Sequence, residues 1–264
     1  MTIKHTPFRF TFFVGMICLL LARPALTFCQ GSAGSSSTVE PRYLIDVPTA
    51  GMFPHRTLSF DMNYFQRGGI LFGFSAGLFN RAILGISYGG TNLVGAETPM
   101  WNKTIGLQAR LRLWEESLMM PAILIGYDSQ GKEEYIDSLG RYAIKSLGVY
   151  AVGSKNYKFL GFFSIHGGIN YSFEHWQEVQ RVNVFAGVEK TIGPFISAIG
   201  EYNAGLDDQN QNALGRGHGY MNLGLKMTVG SGFTLALNLK DVIRNQQDIS
   251  IGNRTLGLEY IRSF

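Results

Sequence analysis
From Thr57 to the last residue, apolar and polar side chains alternate with the two-residue period of a strand whose faces meet different surroundings. Leu58, Phe60, Met62 and Tyr64 share one face, and Thr57, Ser59, Asp61 and Asn63 the other. The split returns with Ile70, Phe72, Phe74 and Leu78 opposing Gly73, Ser75 and Gly77, and with Leu84, Ile86 and Tyr88 opposing Gly85, Ser87 and Gly89. Leu107, Ala109, Leu111 and Leu113 oppose Gln108, Arg110 and Arg112; Phe163, Ile165, Ile169 and Tyr171 oppose Ser164, His166 and Asn170. Val182, Val184, Ala186 and Val188 oppose Arg181, Asn183 and Glu189, and the stretches at 221–227 and 233–239 repeat the theme. Segments 118–127, 147–156 and 194–203 alternate less cleanly and complete a set of about twelve strands, within two.

Short and long connections separate these strands in turn. Phe79-Asn80-Arg81, Glu115-Glu116-Ser117, Lys155 to Lys158, Ile192-Gly193-Pro194 and Gly230-Ser231-Gly232 read as tight turns. Longer pieces lie near 91–103, 129–146, 173–180, 205–217 and 240–252. A membrane-spanning barrel alternates lipid-facing with lumen-facing residues and joins its strands by short periplasmic turns and long outer loops. The expected fold is therefore all-β, an antiparallel transmembrane β-barrel over 56–264. A soluble β-sandwich or lipocalin-like barrel is the alternative that also alternates.

The first 29 residues predict an export signal: Lys4 and Arg9 precede an apolar stretch from Phe10 to Ala22 that is short for a membrane helix. Leu26-Thr27-Phe28-Cys29 is a second candidate, a lipoprotein site, which Thr27 and Phe28 fit poorly. Residues 30–55 then read as a flexible linker followed by a periplasmic lead-in, broken by Pro48, that tucks into the barrel mouth. Both cysteines, Cys18 and Cys29, fall in the signal, which leaves no thiol for disulfide, zinc or nucleophile chemistry downstream. The three basic residues Lys4, Arg9 and Arg23 reduce the formal charge from +4 to +1 once the signal is removed, too little to mark a nucleic-acid partner. The 33 glycines, 19 phenylalanines and 12 tyrosines suit a barrel with aromatic girdles at both lipid interfaces, where Trp101, Trp114 and Trp176 would also sit.

Charged residues on the polar face are the pore-lining candidates: Asp61, Arg110, Arg112, Arg181, Glu189, Glu201 and Lys226. An arginine facing mid-bilayer lipid costs roughly 2–4 kcal/mol, so these belong to the lumen. They line a solute pathway or they close the lumen by cross-barrel ion pairs, and the mixture of signs supports both. Ser164 and His166, on one face of one strand, invite comparison with a nucleophile and its base, but no third orienting residue accompanies them. The acidic loop 128–137 lacks the ligand spacing of a calcium loop, and no cofactor or metal is expected. The expectation is thus a non-enzymatic barrel.

Leu44-Ile45-Asp46-Val47-Pro48-Thr49-Ala50-Gly51-Met52, Thr57-Leu58-Ser59-Phe60 and Gly85-Ile86-Ser87-Tyr88-Gly89-Gly90 resemble the opening of YjbH-like outer-membrane proteins associated with exopolysaccharide production. The whole chain after the signal resembles uncharacterised bacterial outer-membrane barrels carrying Tyr127-Asp128-Ser129-Gln130-Gly131 and Ser154-Lys155-Asn156-Tyr157 in comparable places. The resemblance implies an outer-membrane location and suggests a polysaccharide partner; it brings no catalytic residues. Leu256, Leu258, Tyr260, Arg262 and the terminal Phe264 share a face, similar to the signal read by the barrel assembly machinery. Function is expected to be a passive channel or export accessory for small polar solutes or glycans, with a structural or surface-binding barrel as the alternative and a lipid-modifying enzyme behind both.

Overall fold
The computed structural model describes residues 33–35, 39–174, 181–209, 213–230, 232–247 and 253–264, so the export signal, Cys29 and Trp176 lie outside the described residues. Among the described residues fifteen strands follow in chain order: β1 Thr57–Phe65, β2 Gly69–Leu78, β3 Ala82–Thr91, β4 Met100–Trp101, β5 Gly106–Trp114, β6 Ala122–Asp128, β7 Lys132–Ile136, β8 Arg141–Ile144, β9 Gly148–Lys158, β10 Phe162–Tyr171, β11 Asn183–Thr191, β12 Ile196–Asn203, β13 Tyr220–Thr228, β14 Phe233–Lys240 and β15 Asn253–Ser263. Twelve of them form a closed antiparallel barrel, sealed by β1 against β15 with Thr57 opposite Ser263 and Tyr64 opposite Leu256. The short β4 extends β3 at one rim, and β7 with β8 makes a separate hairpin within the loop after β6.

One end of the barrel carries tight turns and the other carries long loops. The turn after β2 places Phe79 and Asn80 at φ 54° and 58°, the left-handed pair that a two-residue hairpin requires. The turn expected at Lys155 to Lys158 lies further on, at 159–161, because β9 continues to Lys158 and Phe159 N–H closes on Gly161 O at 2.9 Å. A tight turn at 66–68, absent from the expected turns and loops, joins β1 to β2 at the loop end.

The face assignment follows the alternation closely. Phe60, Phe74, Leu84, Ile86, Leu107, Ile165, Val184, Leu225 and Leu237 point outward and are exposed, forming the apolar belt, while Thr57, Ser59, Ser75, Asn183 and Ser197 are buried inside. Tyr88 stacks on Trp101 at one rim with centroids 5.6 Å apart, and Trp114 stands exposed at the other. Arg262 lies over the ring of Phe264 at the turn end, 5.6 Å from its centroid.

The interior is filled, and the chain before the first strand fills it. Residues 39–55 do not stop at the mouth. Tyr43 bridges Pro48 in an antiparallel step, Leu44 N–H reaches Val47 O at 2.9 Å, and Thr49 N–H reaches Arg42 O at 3.0 Å. The result is a small hairpin with its tip at Leu44-Ile45-Asp46-Val47, pushed up the lumen from the turn end. Val47, Ala50, Met52 and Phe53 pack there against Ile83, Leu124, Tyr150, Val152, Phe185 and Ile261 of the wall. A wall of twelve strands is too wide for its own side chains to close, which is why an insert finds room.

Candidate functional site
The hairpin is fastened to the barrel mainly through charged and polar groups. At its base, Arg112 of β5 donates through Nε to Ala50 O at 3.1 Å, pairs with Glu115 at 3.0 Å and with Glu40 of the hairpin. One layer further in, Arg110 donates to Arg42 O at 2.8 Å and to Thr49 O, with its guanidinium 5.1 Å from the ring centroid of Tyr43. Arg42 itself reaches across to Asp61 of β1 at 2.5 Å, Glu259 of β15 at 2.9 Å and Ser75 of β2 at 2.8 Å. On the opposite wall Lys226 donates to Tyr43 O at 2.6 Å.

The tip is held most tightly. The Glu201 carboxylate on β12 accepts the N–H groups of Ile45 at 2.9 Å, Asp46 at 2.9 Å and Val47 at 3.0 Å, together with the amide of Asn222 at 2.7 Å. Three successive N–H groups around one carboxylate make the tip an anion-binding nest turned upon the wall. Asp46 meanwhile receives Lys132 from the β7 hairpin at 2.9 Å and Lys240 from β14 at 3.0 Å. Lys132 also donates to Ile45 O at 2.9 Å. The longest outer loop and the hairpin therefore meet at one carboxylate.

Of the seven expected lumen residues, five bind the hairpin or its charges: Asp61, Arg110, Arg112, Glu201 and Lys226. They share a lumen, and of the two expected arrangements the structure shows the closed one, with the bonds made to an insert rather than straight across the barrel. Glu189 is buried on the lumen face of β11 without touching the hairpin. Arg181 is a correction. It precedes β11, which begins only at Asn183, and is exposed outside the barrel despite having the right parity.

The alternation does not reveal Arg42, Asp46, Lys132, Lys240 or Glu259 as partners. Arg42 and Asp46 lie in the irregular lead-in, and Lys132 in an outer loop; only Pro48 between charged and apolar residues hinted at a built turn. Ser164 and His166 do face inward, but the His166 ring pairs through Nδ1 with Ser154 at 2.7 Å. In the acidic loop, Glu133 meets Lys240 at 3.5 Å, Asp137 meets Lys103 at 2.5 Å and Glu134 meets Arg67, so its carboxylates already have protein partners.

At the loop end a second polar cluster ties the outer loops together. Arg141 pairs with Asp208 at 2.6 Å, both buried, and Tyr220 O–H donates to the other carboxylate oxygen. Burial raises the Asp208 carboxyl, but Arg141 and the Tyr220 hydroxyl outweigh it and hold the group below its ordinary range. Glu174 shows the opposite balance: burial pushes it up although it accepts N–H groups from Tyr142 and Ser146, both at 2.9 Å.

No known family model matches the chain, and no curated protein does. Among solved structures, the translocator domain of the autotransporter NalP from Neisseria meningitidis aligns over 79% of this chain and 86% of its own, at 15% identity and a TM-score of 0.38. A chain from a study of in-meso crystallisation of membrane proteins aligns over 79% of this chain and 84% of its own, at 12% identity and a TM-score of 0.38. A de novo designed transmembrane β-barrel aligns over 80% of this chain and 99% of its own, at 9% identity and a TM-score of 0.23. The barrel assignment rests on the closed strand pairing and the outward apolar belt of this chain itself.

Proposed function
We propose that this protein is an outer-membrane β-barrel that is closed at rest by its own N-terminal hairpin and passes small polar solutes or glycans when the hairpin moves. The observation that carries this reading is the chemistry of attachment. The bonds between hairpin and wall are largely hydrogen bonds and ion pairs, from Arg110, Arg112, Glu201, Lys226 and Lys240, and water can take over such bonds. A lumen lined by these groups stays wettable after the insert leaves, which a wholly apolar seal would not allow. The tight turns face the periplasm, the loops face outward, the lipid belt is the partner of the outer wall, and Phe264 is the group offered to the assembly machinery.

Single-channel recording in planar bilayers tests this, with heat-modifiable gel migration as the folding control. The intact chain is expected to be silent with rare openings, and a chain lacking residues 39–53 to conduct steadily. A folded deletion variant that stays silent would refute conduction.

A second reading, a non-catalytic barrel that binds through its outer loops, draws support from the ordered β7–β8 hairpin and the buried Arg141–Asp208 pair. It predicts surface binding that is lost on deleting 129–146 and no conductance from either chain. Neither reading invokes catalysis; the Ser164–His166 pair that a lipid-modifying enzyme would use is not formed, the His166 ring bonding Ser154 instead.

A further inference from the structure
The hairpin leaves parts of the lumen unfilled. At the turn end a chamber of about 830 Å3 opens between the hairpin base at Thr49 to Gly51 and the ends of β5, β6, β9, β10 and β11. Most charged groups around it are committed. Arg112 is bound to Ala50 O, Glu40 and Glu115, and Lys155 donates to Ser117 O and to Leu118 O at 3.1 Å, with Glu116 at 3.5 Å.

Two buried lining atoms are not, although the Glu189 carboxylate as a whole has Lys226 as a counter-charge and Ser197 as a hydrogen-bond partner. Nε2 of His166 and Oε1 of Glu189 are buried without a hydrogen-bond partner among the described residues, and both side chains are at least nine-tenths buried. They are diagonal neighbours on the lumen face, since Glu189 lies opposite Ser164 in the ladder, two residues from His166. The ring's proton can be assigned from its other side. Ser154 Oγ accepts Ala50 N–H at 2.8 Å, and we assign its own proton to the bond with His166 Nδ1, 2.7 Å away, which gives a neutral ring with the proton on Nε2. A donor and a charged acceptor thus lie on one diagonal of the lumen face, each with an atom that lacks a hydrogen-bond partner.

A hydroxyl group satisfies both at once, accepting from Nε2–H and donating to the carboxylate. Anions are disfavoured by Glu189, Glu115 and Glu116, and cations by the imidazole N–H and Lys155. Phe162, on the same wall, supplies an aromatic surface of the kind that sits among a few fixed polar groups in small-ligand sites. We propose that this chamber binds a neutral polyhydroxylated ligand, the end of a glycan chain, with one hydroxyl bridging His166 Nε2 and Glu189 Oε1. This names the solute class of the proposed route and rests on that reading only for the side from which the ligand enters. Ser154 bonds both the hairpin and the ring, so an occupied chamber bears directly on the hairpin's docking.

Calorimetric titration of the refolded full chain in detergent tests the site, using cellohexaose, maltohexaose and chitohexaose as neutral probes and an oligogalacturonate of the same length as the anionic one. At least one neutral probe is expected to bind, more tightly than the anionic one, and to be weakened about tenfold or more by Glu189→Gln and by His166→Phe, the loss of one hydrogen bond to a charged or buried partner. Asp137→Asn, in the outer loop, is expected to leave binding unchanged. If Glu189→Gln does not fold, as judged by gel migration, Ser154→Ala serves in its place, because it frees the ring tautomer. The proposal is overturned if no neutral probe binds at millimolar concentration, if the anionic probe binds best, or if the folded variants bind as the parent does. Conductance is not read in this experiment, so a silent barrel that binds overturns only the transport reading, and a conducting barrel that does not bind overturns only the site.

Discussion
Replacing Glu201 by glutamine should release the hairpin tip without disturbing the barrel wall. The carboxylate accepts three backbone N–H groups of the tip and the Asn222 amide, all between 2.7 and 3.0 Å. A hydrogen bond to a charged group contributes roughly 1.5–3 kcal/mol net, although four bonds to one carboxylate do not add. Glutamine keeps one acceptor oxygen but turns an NH2 group toward backbone donors, so at least one tip N–H faces another donor. The change also removes a negative charge close to Asp46, a small compensation, since Asp46 has Lys132 at 2.9 Å and Lys240 at 3.0 Å as its own counter-charges. A net loss of about 3 kcal/mol is the balance, toward the low end of what breaking a buried ionic cluster costs.

That loss shifts the docked-to-undocked ratio by roughly 150-fold, at about 1.4 kcal/mol per factor of ten. A hairpin undocked about one part in ten thousand would then be undocked about 1.5% of the time, which is readily counted as openings in a bilayer recording. The parent chain should show openings some two orders of magnitude rarer, at the same unit conductance, because the open lumen is the same. Equal opening frequencies in Glu201→Gln and the parent, beside steady conduction by the chain lacking 39–53, would refute the nest as the fastening. A parent chain that conducts continuously would refute the resting closure altogether.

Other consequences follow from the same contacts. Cysteines introduced as Ala50→Cys and Ser154→Cys, positions whose N–H and Oγ lie 2.8 Å apart, should form a disulfide that abolishes openings until a reductant is added; bilayer recording before and after reduction reads this. Gly187→Leu should undock the tip as Glu201→Gln does, because a Cβ at Gly187 would lie 2.3 Å from Leu44 Cδ1, and trypsin cleavage at Arg42 should accelerate. Leu237→Arg, on the outward face of β14, should lower unfolding stability in lipid vesicles by about 2–4 kcal/mol, with no change if that face met water. Asp208, held below the ordinary carboxylate range, contributes stability that is complete above its unfolded pKa of about 4 and is lost as the pH falls through its lower folded value. Protection factors of 141–145, which divide out the intrinsic pH dependence of amide exchange, should therefore show an Asp208-dependent fall below about pH 4, and Asp208→Asn should remove that step while lowering protection throughout.

The alternation made the wall legible because a lipid face and a lumen face impose opposite demands on successive residues. Where it blurred, at 118–127 and 147–156, the structure supplies the reason. Leu124, Tyr150 and Val152 face inward and are apolar because they meet Val47, Ala50 and Phe53 of the hairpin, so both faces of β6 and β9 read as hydrophobic. The lumen-facing glycines belong to the same account: Cβ atoms at Gly77, Gly187 and Gly224 would run into Pro54 O, Leu44 and Ile45. The hairpin was hidden because it has no period. Its fold is fixed by bonds to residues between 19 and 217 positions away, and such pairings leave no local trace, so parity puts Arg110 on the lumen face without showing what it meets there.

The two ends of the barrel are not independent. Glu201 holds the tip from the wall, whereas Lys132 holds it from a loop that folds down from outside, where Glu133 also reaches Lys240 and Asn253. Moving the hairpin toward the turn end strips Lys132 and Lys240 of Asp46 and leaves Lys240 with Glu133 alone, which favours a looser loop. Lifting the loop removes one of the two cations at Asp46 and leaves that carboxylate beside Glu201, which favours an undocked tip. Each movement lowers the cost of the other, since a buried charge without its partner is what the closed arrangement avoids. A ligand that binds the outer loops in their lifted form would therefore open the lumen from a distance, with Asp46 as the residue through which the two inserts sense one another.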